Sequence, residues 1–214
     1  VPGVRTAAGA FFDIDIQGKG GHGACPHLAI DPIPIAAQLV SALQTVVSRS
    51  TSPNDSVVFS ITKIHAGDAY NVIPDSARLS GTVRTFSMDK IRQIETQVQD
   101  LAQSTAAAFG ASATLEFKVP FHPVVNDEAT TAFAGDICAS IAGEGNVFRV
   151  GAPGTGSEDF SFMAEQVPAC YLIIGNGEDS SALHNPGYDF NDAALVYGGS
   201  FFARVTEQEL VAAQ

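Results

Sequence analysis

Apolar and polar residues follow short, regular periods over the first 120 or so positions of the chain. Phe12, Ile14 and Ile16 alternate with Asp13, Asp15 and Gln17, the pattern of a half-buried strand. Asp31 then offers an N-cap and Pro32 a first helical residue. Ile35, Ala36, Leu39, Val40, Leu43, Val46 and Val47 recur behind them at helical spacing. Ser52 to Asp55 is turn chemistry, after which Val57, Phe59 and Ile61 alternate again. Ala77, Leu79, Gly81 and Val83 place Arg78, Ser80, Thr82 and Arg84 on the opposite face of the next strand. Ile91, Ile94, Val98, Leu101 and Ala102 mark a second helix, which Gly110 is suited to end. Ala113, Leu115, Phe117 and Val119 make a last alternating strand. The predicted order βαββαβ belongs to the α+β class. It is the ferredoxin-like arrangement, a four-stranded antiparallel sheet with both helices on one face.

The rest of the chain has another character. The spacing predicts a helix over 128–142, a short strand at Val147–Val150 and a buried parallel strand at 171–174. It also predicts a helix from about Asn191 to about 212. Two strands are too few for a complete doubly wound sheet, so this stretch reads as part of a larger α/β domain. The expected organisation is therefore a ferredoxin-like domain at 11–119, with 1–10 and 120–214 forming a partial α/β domain.

Charge narrows the partners. The chain has 214 residues, a net charge of −12 and only 11 Lys plus Arg. So acidic a surface repels phosphate backbones and anionic lipid, which argues against nucleic acid and membrane as partners. The three cysteines, Cys25, Cys138 and Cys170, form no CxxC and read as free thiols of a reducing compartment, which makes the cytoplasm the expected location. The chain opens on Val1 rather than Met, and the expectation is a processed or truncated piece.

Five stretches carry candidate chemistry. In Gly18–His27 (GKGGHGACPH) the glycines free the backbone after the first strand and can project His22 from a sharp turn. A flexible loop with incidental histidines reads the same residues equally well, and the spacing fits neither a dinucleotide fingerprint nor a P-loop. Asn71 in NVIPD is either a turn residue or an amide that orients a carbonyl. Arg84 in GTVRT is either an exposed arginine or a carboxylate receptor. In GTGSEDF, Ser157 can cap a helix at 158–165, and the loop can also hold Glu158 near a site. LHNPGYDFND places His184 after an apolar run, with Asp189 as a candidate partner for a metal-bound imidazole.

Taken in order, GGHGACPH, NVIPD, GTVRT, GSEDFSF and LHNPGYDFND resemble the M20 metallopeptidase family. The resemblance is greatest to the branch that hydrolyses N-acyl amino acids, hippurate and auxin conjugates. It implies a ferredoxin-like lid and dimerisation domain inserted in an α/β metallohydrolase catalytic domain. It implies cleavage of an N-acyl or N-aroyl amino acid at a centre of two divalent ions, zinc or manganese. By the resemblance His22 stabilises the oxyanion, usually in the partner subunit's site. Asn71 and Arg84 bind substrate, Arg84 its carboxylate, with Glu158 nearby, and His184 is a metal ligand. The resemblance also implies a homodimer through the lid, with contacts along an edge strand at 56–64 and a helix at 32–48. The family's other metal ligands and its general-base glutamate have no match in this chain. The expectation is a fragment whose parent is the enzyme. The alternative is a dimerising lid module without activity of its own.

Overall fold

The computed structural model describes residues 1–211. In chain order the elements begin with β1 (Gly3–Val4), β2 (Ala8–Gln17), β3 (Gly21–His22), α1 (Pro32–Leu43) and α2 (Thr45–Ser48). There follow β4 (Val57–Ala66), β5 (Val72–Ile73), β6 (Ser76–Thr85), α3 (Met88–Ala108) and β7 (Ser112–Phe121). The last are β8 (Val125–Asn126), α4 (Glu128–Ala142), α5 (Ser161–Ala164) and α6 (Ala194–Val211). They form two compact units, one of Thr6–Val124 with Pro153–Phe162, the other of Val1–Arg5, Val125–Ala152 and the described residues from Met163 onward.

In the first unit β4, β6, β2 and β7 lie side by side in that order, every neighbour antiparallel. This is the strand order of a ferredoxin-like domain, as the alternation predicted. Phe12, Ile14 and Ile16 of β2 and Leu79 and Val83 of β6 point to one face, where Ile35, Leu39 and Leu43 of α1 and Ile91, Ile94 and Val98 of α3 bury against them. The helices form because their apolar positions recur at helical spacing and bury against the sheet, and because Asp31 and Ser87 cap their first turns. The Asp31 carboxylate accepts from the Ile33 N–H at 2.9 Å, and Gly110, at φ +77°, takes the left-handed turn after α3. The opposite face of the sheet is polar. Asp15 receives both arms of Arg78 at 2.6 and 2.7 Å, and Lys118 pairs with Glu116 at 2.6 Å. Such exposed pairs choose the solvated face rather than stabilise it greatly.

One feature departs from the plain fold. The loops after β2 and β4 return as a two-stranded ribbon in which Gly21 pairs with Ile73 and His22 with Val72. It stands at the end of the sheet marked by Gln17 and Ser76.

In the second unit α4 packs on α6 and β1 pairs with β8. The helix expected at 128–142 is present as α4, and the final helix begins at Ala194 rather than near Asn191, its expected end at about 212 lying outside the described residues. Three expectations are corrected. Val147–Val150 is not a strand, and neither is 171–174, where Ile173 and Ile174 are exposed. A strand needs a neighbour for its N–H and C=O groups, and among the described residues none lies beside these two. The Tyr171 peptide is satisfied instead by one side chain: its N–H donates to Asn126 Oδ1 at 2.8 Å and its carbonyl accepts from Asn126 Nδ2 at 3.0 Å. The helix expected at 158–165 shrinks to the four residues of α5. Ser157 does not cap it, because α5 starts only at Ser161 and leaves Ser157 outside the cap position; its hydroxyl accepts from Arg84 instead.

Candidate functional site

His22 and Asn71 come together on the ribbon. The Gly23 N–H donates to the Asn71 carbonyl at 2.8 Å, and the Cys25 N–H to the His22 carbonyl at 2.8 Å, so the backbone around both residues is pinned. Asp75 anchors the ribbon's base. Its Oδ1 accepts from the Gly20 N–H at 2.8 Å and its carbonyl from the Gly18 N–H at 2.9 Å. The His22 side chain is exposed and oriented: Nδ1 accepts from the Ala24 N–H at 3.0 Å. A nitrogen that accepts carries no proton, so the neutral ring holds its proton on Nε2. The result is an imidazole N–H donor fixed in tautomer on an exposed tip. Asn71 is exposed beside it.

Arg84 occupies the other end of the sheet. Ser76 and Arg84 are eight residues apart on β6, about 26 Å at strand rise. Within one chain the ribbon and Arg84 therefore do not meet. Arg84 lies on the polar face, half-buried, opposite Gly9 of β2. Its guanidinium carbon sits 5.7 Å from the centre of the Phe11 ring, and Nη1 donates to Ser157 Oγ. The segment carrying Ser157 is held against the start of β2, with Thr6 bridged to Gly154 and the Ala7 N–H donating to the Gly156 carbonyl at 2.9 Å. Glu158 follows directly and is half-buried.

His184 belongs to the second unit. It is exposed and takes a left-handed conformation at φ +65°, a backbone region in which histidine is enriched among non-glycine residues. The loop around it is held by Asn176, whose Nδ2 donates to the Asp189 carbonyl at 2.7 Å and whose Oδ1 accepts from the Asn191 N–H at 2.7 Å. Among the described residues no hydrogen bond joins the His184 ring to the Asp189 carboxylate, the partner that the sequence suggested.

The sequence reading overlooked Ala24, Asp75, Gly9, Phe11 and Ser157 as supports. Only Gly9 left a signal, an isolated glycine within a strand where another group comes close.

The four-stranded antiparallel sheet with its two helices on one face defines a ferredoxin-like domain. The peptidase dimerisation domain of the M20 family matches residues 5–109. Residues 5–109 therefore carry an M20 dimerisation domain. It is 38% identical over 196 residues to the N-acetylcysteine deacetylase of Bacillus subtilis, covering 91% of this chain and 50% of that protein. It is 34% identical to the IAA-amino acid hydrolase ILR1-like 4 of Arabidopsis thaliana, covering 98% of this chain and 49% of that protein. Among solved structures it resembles the YXEP protein of Bacillus subtilis, described as a dinuclear metal binding peptidase from the M20 family. There the TM-score is 0.76 and the identity 28%, over 95% of this chain and 50% of that one. The chain thus spans about half the length of the relatives it matches.

Among the described residues no three His, Cys, Asp or Glu side chains gather as ligands would. A catalytic zinc takes about three protein ligands, so these residues do not by themselves fit a dinuclear centre. His184 is a single exposed donor.

Proposed function

We propose that this chain is the dimerising lid and a partial catalytic domain of a hydrolase that cleaves the amide bond of N-acyl or N-aroyl amino acids. The observation that carries the proposal is the locked tautomer of His22. An Nε2–H held outward on a pinned ribbon is a donor aimed at an oxygen that gains charge, as an amide carbonyl does when attacked. Asn71, on the same tip, adds an amide to orient that carbonyl. Arg84 receives the substrate carboxylate, and Glu158 lies beside it. The names of the relatives support this substrate class. His184 would supply a single imidazole ligand to a metal centre whose other ligands lie outside this chain, and such a centre would supply Lewis acidity when bound.

Because His22 and Arg84 lie about a strand's length apart, one substrate reaches both only if two subunits contribute. β4 is an edge strand, and among the described residues nothing pairs with its outer side. β4 ends near the ribbon at Ala66 and begins near Arg84 at Val57. Antiparallel pairing of β4 with its copy about a two-fold axis sets one subunit's ribbon beside its partner's arginine. It also brings the two α1 helices to the same side of a continuous sheet.

The experiment is turnover of N-acetyl and N-benzoyl amino acids by the active enzyme that contains this chain. His22→Ala lowers kcat about 100-fold or more with metal content unchanged. Unaltered kcat removes His22 from the chemistry.

A further inference from the structure

We infer that Ser157 is the second donor of a composite carboxylate receptor, built with Arg84 on a floor made by Gly9 and Phe11. The inference rests on the reading of Arg84 as the partner of the substrate carboxylate, and it adds a residue that decides between a free acid and its neutral analogues.

The hydroxyl of Ser157 has one proton and two lone pairs. One lone pair accepts from Arg84 Nη1. That bond orients Oγ and leaves the hydroxyl proton free to donate. The guanidinium has five N–H donors and spends one on Ser157, so a fork remains. An oxygen of an incoming carboxylate can therefore take the serine proton while its other oxygen takes a guanidinium N–H. A carboxamide carries no charge to pair with the guanidinium and has one acceptor oxygen instead of two, so it binds more weakly.

The floor explains why the pair stays in place. A Cβ at Gly9 would lie within the contact radius of Arg84 Nη1 and 2.8 Å from Ser157 Oγ. Glycine is thus the residue that lets the guanidinium lie down on the sheet beside the serine. Phe11, two residues on and on the same face of β2, supplies a ring beneath the cation. Bridging of Thr6 to Gly154 ties the serine's segment to the same strand, so donor and floor move as one body. Ser157 touches no reacting bond in this scheme and serves affinity and specificity.

The test is titration of the 214-residue chain with N-acetylglycine and, separately, N-acetylglycinamide, followed by the side-chain Nε–H resonance of Arg84 in NMR. The resonance is assigned by its loss in Arg84→Lys. N-acetylglycine is expected to shift it and N-acetylglycinamide to leave it in place. Ser157→Ala is expected to weaken the acid about tenfold, the scale of one hydrogen bond to a charged group, with the core methyl spectrum unchanged. Ser157→Thr, which keeps the hydroxyl, restores binding to within about twofold. Gly9→Ala, which displaces the guanidinium, weakens the acid as Ser157→Ala does. If the acid binds at Arg84 and Ser157→Ala leaves its affinity unchanged, the receptor is Arg84 alone and the inference is overturned while the reading of Arg84 stands. Binding of acid and amide with equal affinity overturns it as well. If N-acetylglycine leaves the Arg84 resonance unmoved, both the receptor and the reading beneath it fall.

Discussion

A single hydrogen bond decides what His22 can do. Had Nδ1 carried the proton, the outward nitrogen would be an acceptor, useless to a developing oxyanion; the Ala24 N–H prevents this. The histidine itself was legible in GKGGHGACPH. The tautomer was not, because it depends on where a backbone N–H two residues on happens to point. Ser161 shows the reverse situation. Its Oγ is fully buried and has no hydrogen-bond partner among the described residues. A buried hydroxyl without a partner costs stability, so Ser161→Ala is expected to leave the melting temperature unchanged or raise it. A clear fall in a thermal melt would mean that the hydroxyl is satisfied in solution.

At the scale of elements, the ferredoxin-like unit was readable because each strand repeats every two residues and each helix every 3.6. The second unit misled. Tyr171 to Ile174 looks like a buried parallel strand, yet apolar residues alone do not make one without a ladder partner, and Asn126 supplies a single rung. Capping in this unit is dependable. Asp127 Oδ1 accepts from both the Thr130 N–H and the Thr130 hydroxyl at 2.8 Å, at the start of α4. These bonds favour the charged form and hold the Asp127 carboxyl below the usual aspartate range. The folded state therefore binds this proton less readily than the unfolded chain. The cap's contribution is complete above the unfolded pKa and disappears as pH falls through the depressed folded value. Asp127→Asn, which caps without titrating, is expected to flatten the acid limb of the stability curve measured by urea unfolding at successive pH values. An unchanged acid limb would assign the loss to other carboxylates.

For the whole molecule the question is which subunit serves which site. Two defective variants answer it. His22→Ala lacks the donor and Arg84→Ala lacks the receptor, so each is expected to be severely impaired as a homodimer of the active enzyme. In a mixed dimer with shared sites, one site keeps the arginine of one subunit and the histidine of the other. Mixing equal amounts is then expected to restore about a quarter of wild-type activity once subunits exchange. No recovery, with exchange verified by light scattering of tagged subunits, would place both residues in one subunit's site and overturn the paired-β4 dimer.

By itself the sequence determined the elements of the ferredoxin-like unit, the face each one buries and the residue types able to do chemistry, because those are set by periodicity along the chain and by side-chain chemistry. Tertiary structure alone decided who stands beside whom. It joined His22 to Asn71 across a ribbon, laid Arg84 over Gly9 against Ser157, and set these two clusters a strand's length apart. Local spacing does not encode that, since Arg84 and Ser157 are 73 residues apart and meet only because a loop runs along the first strand of the sheet.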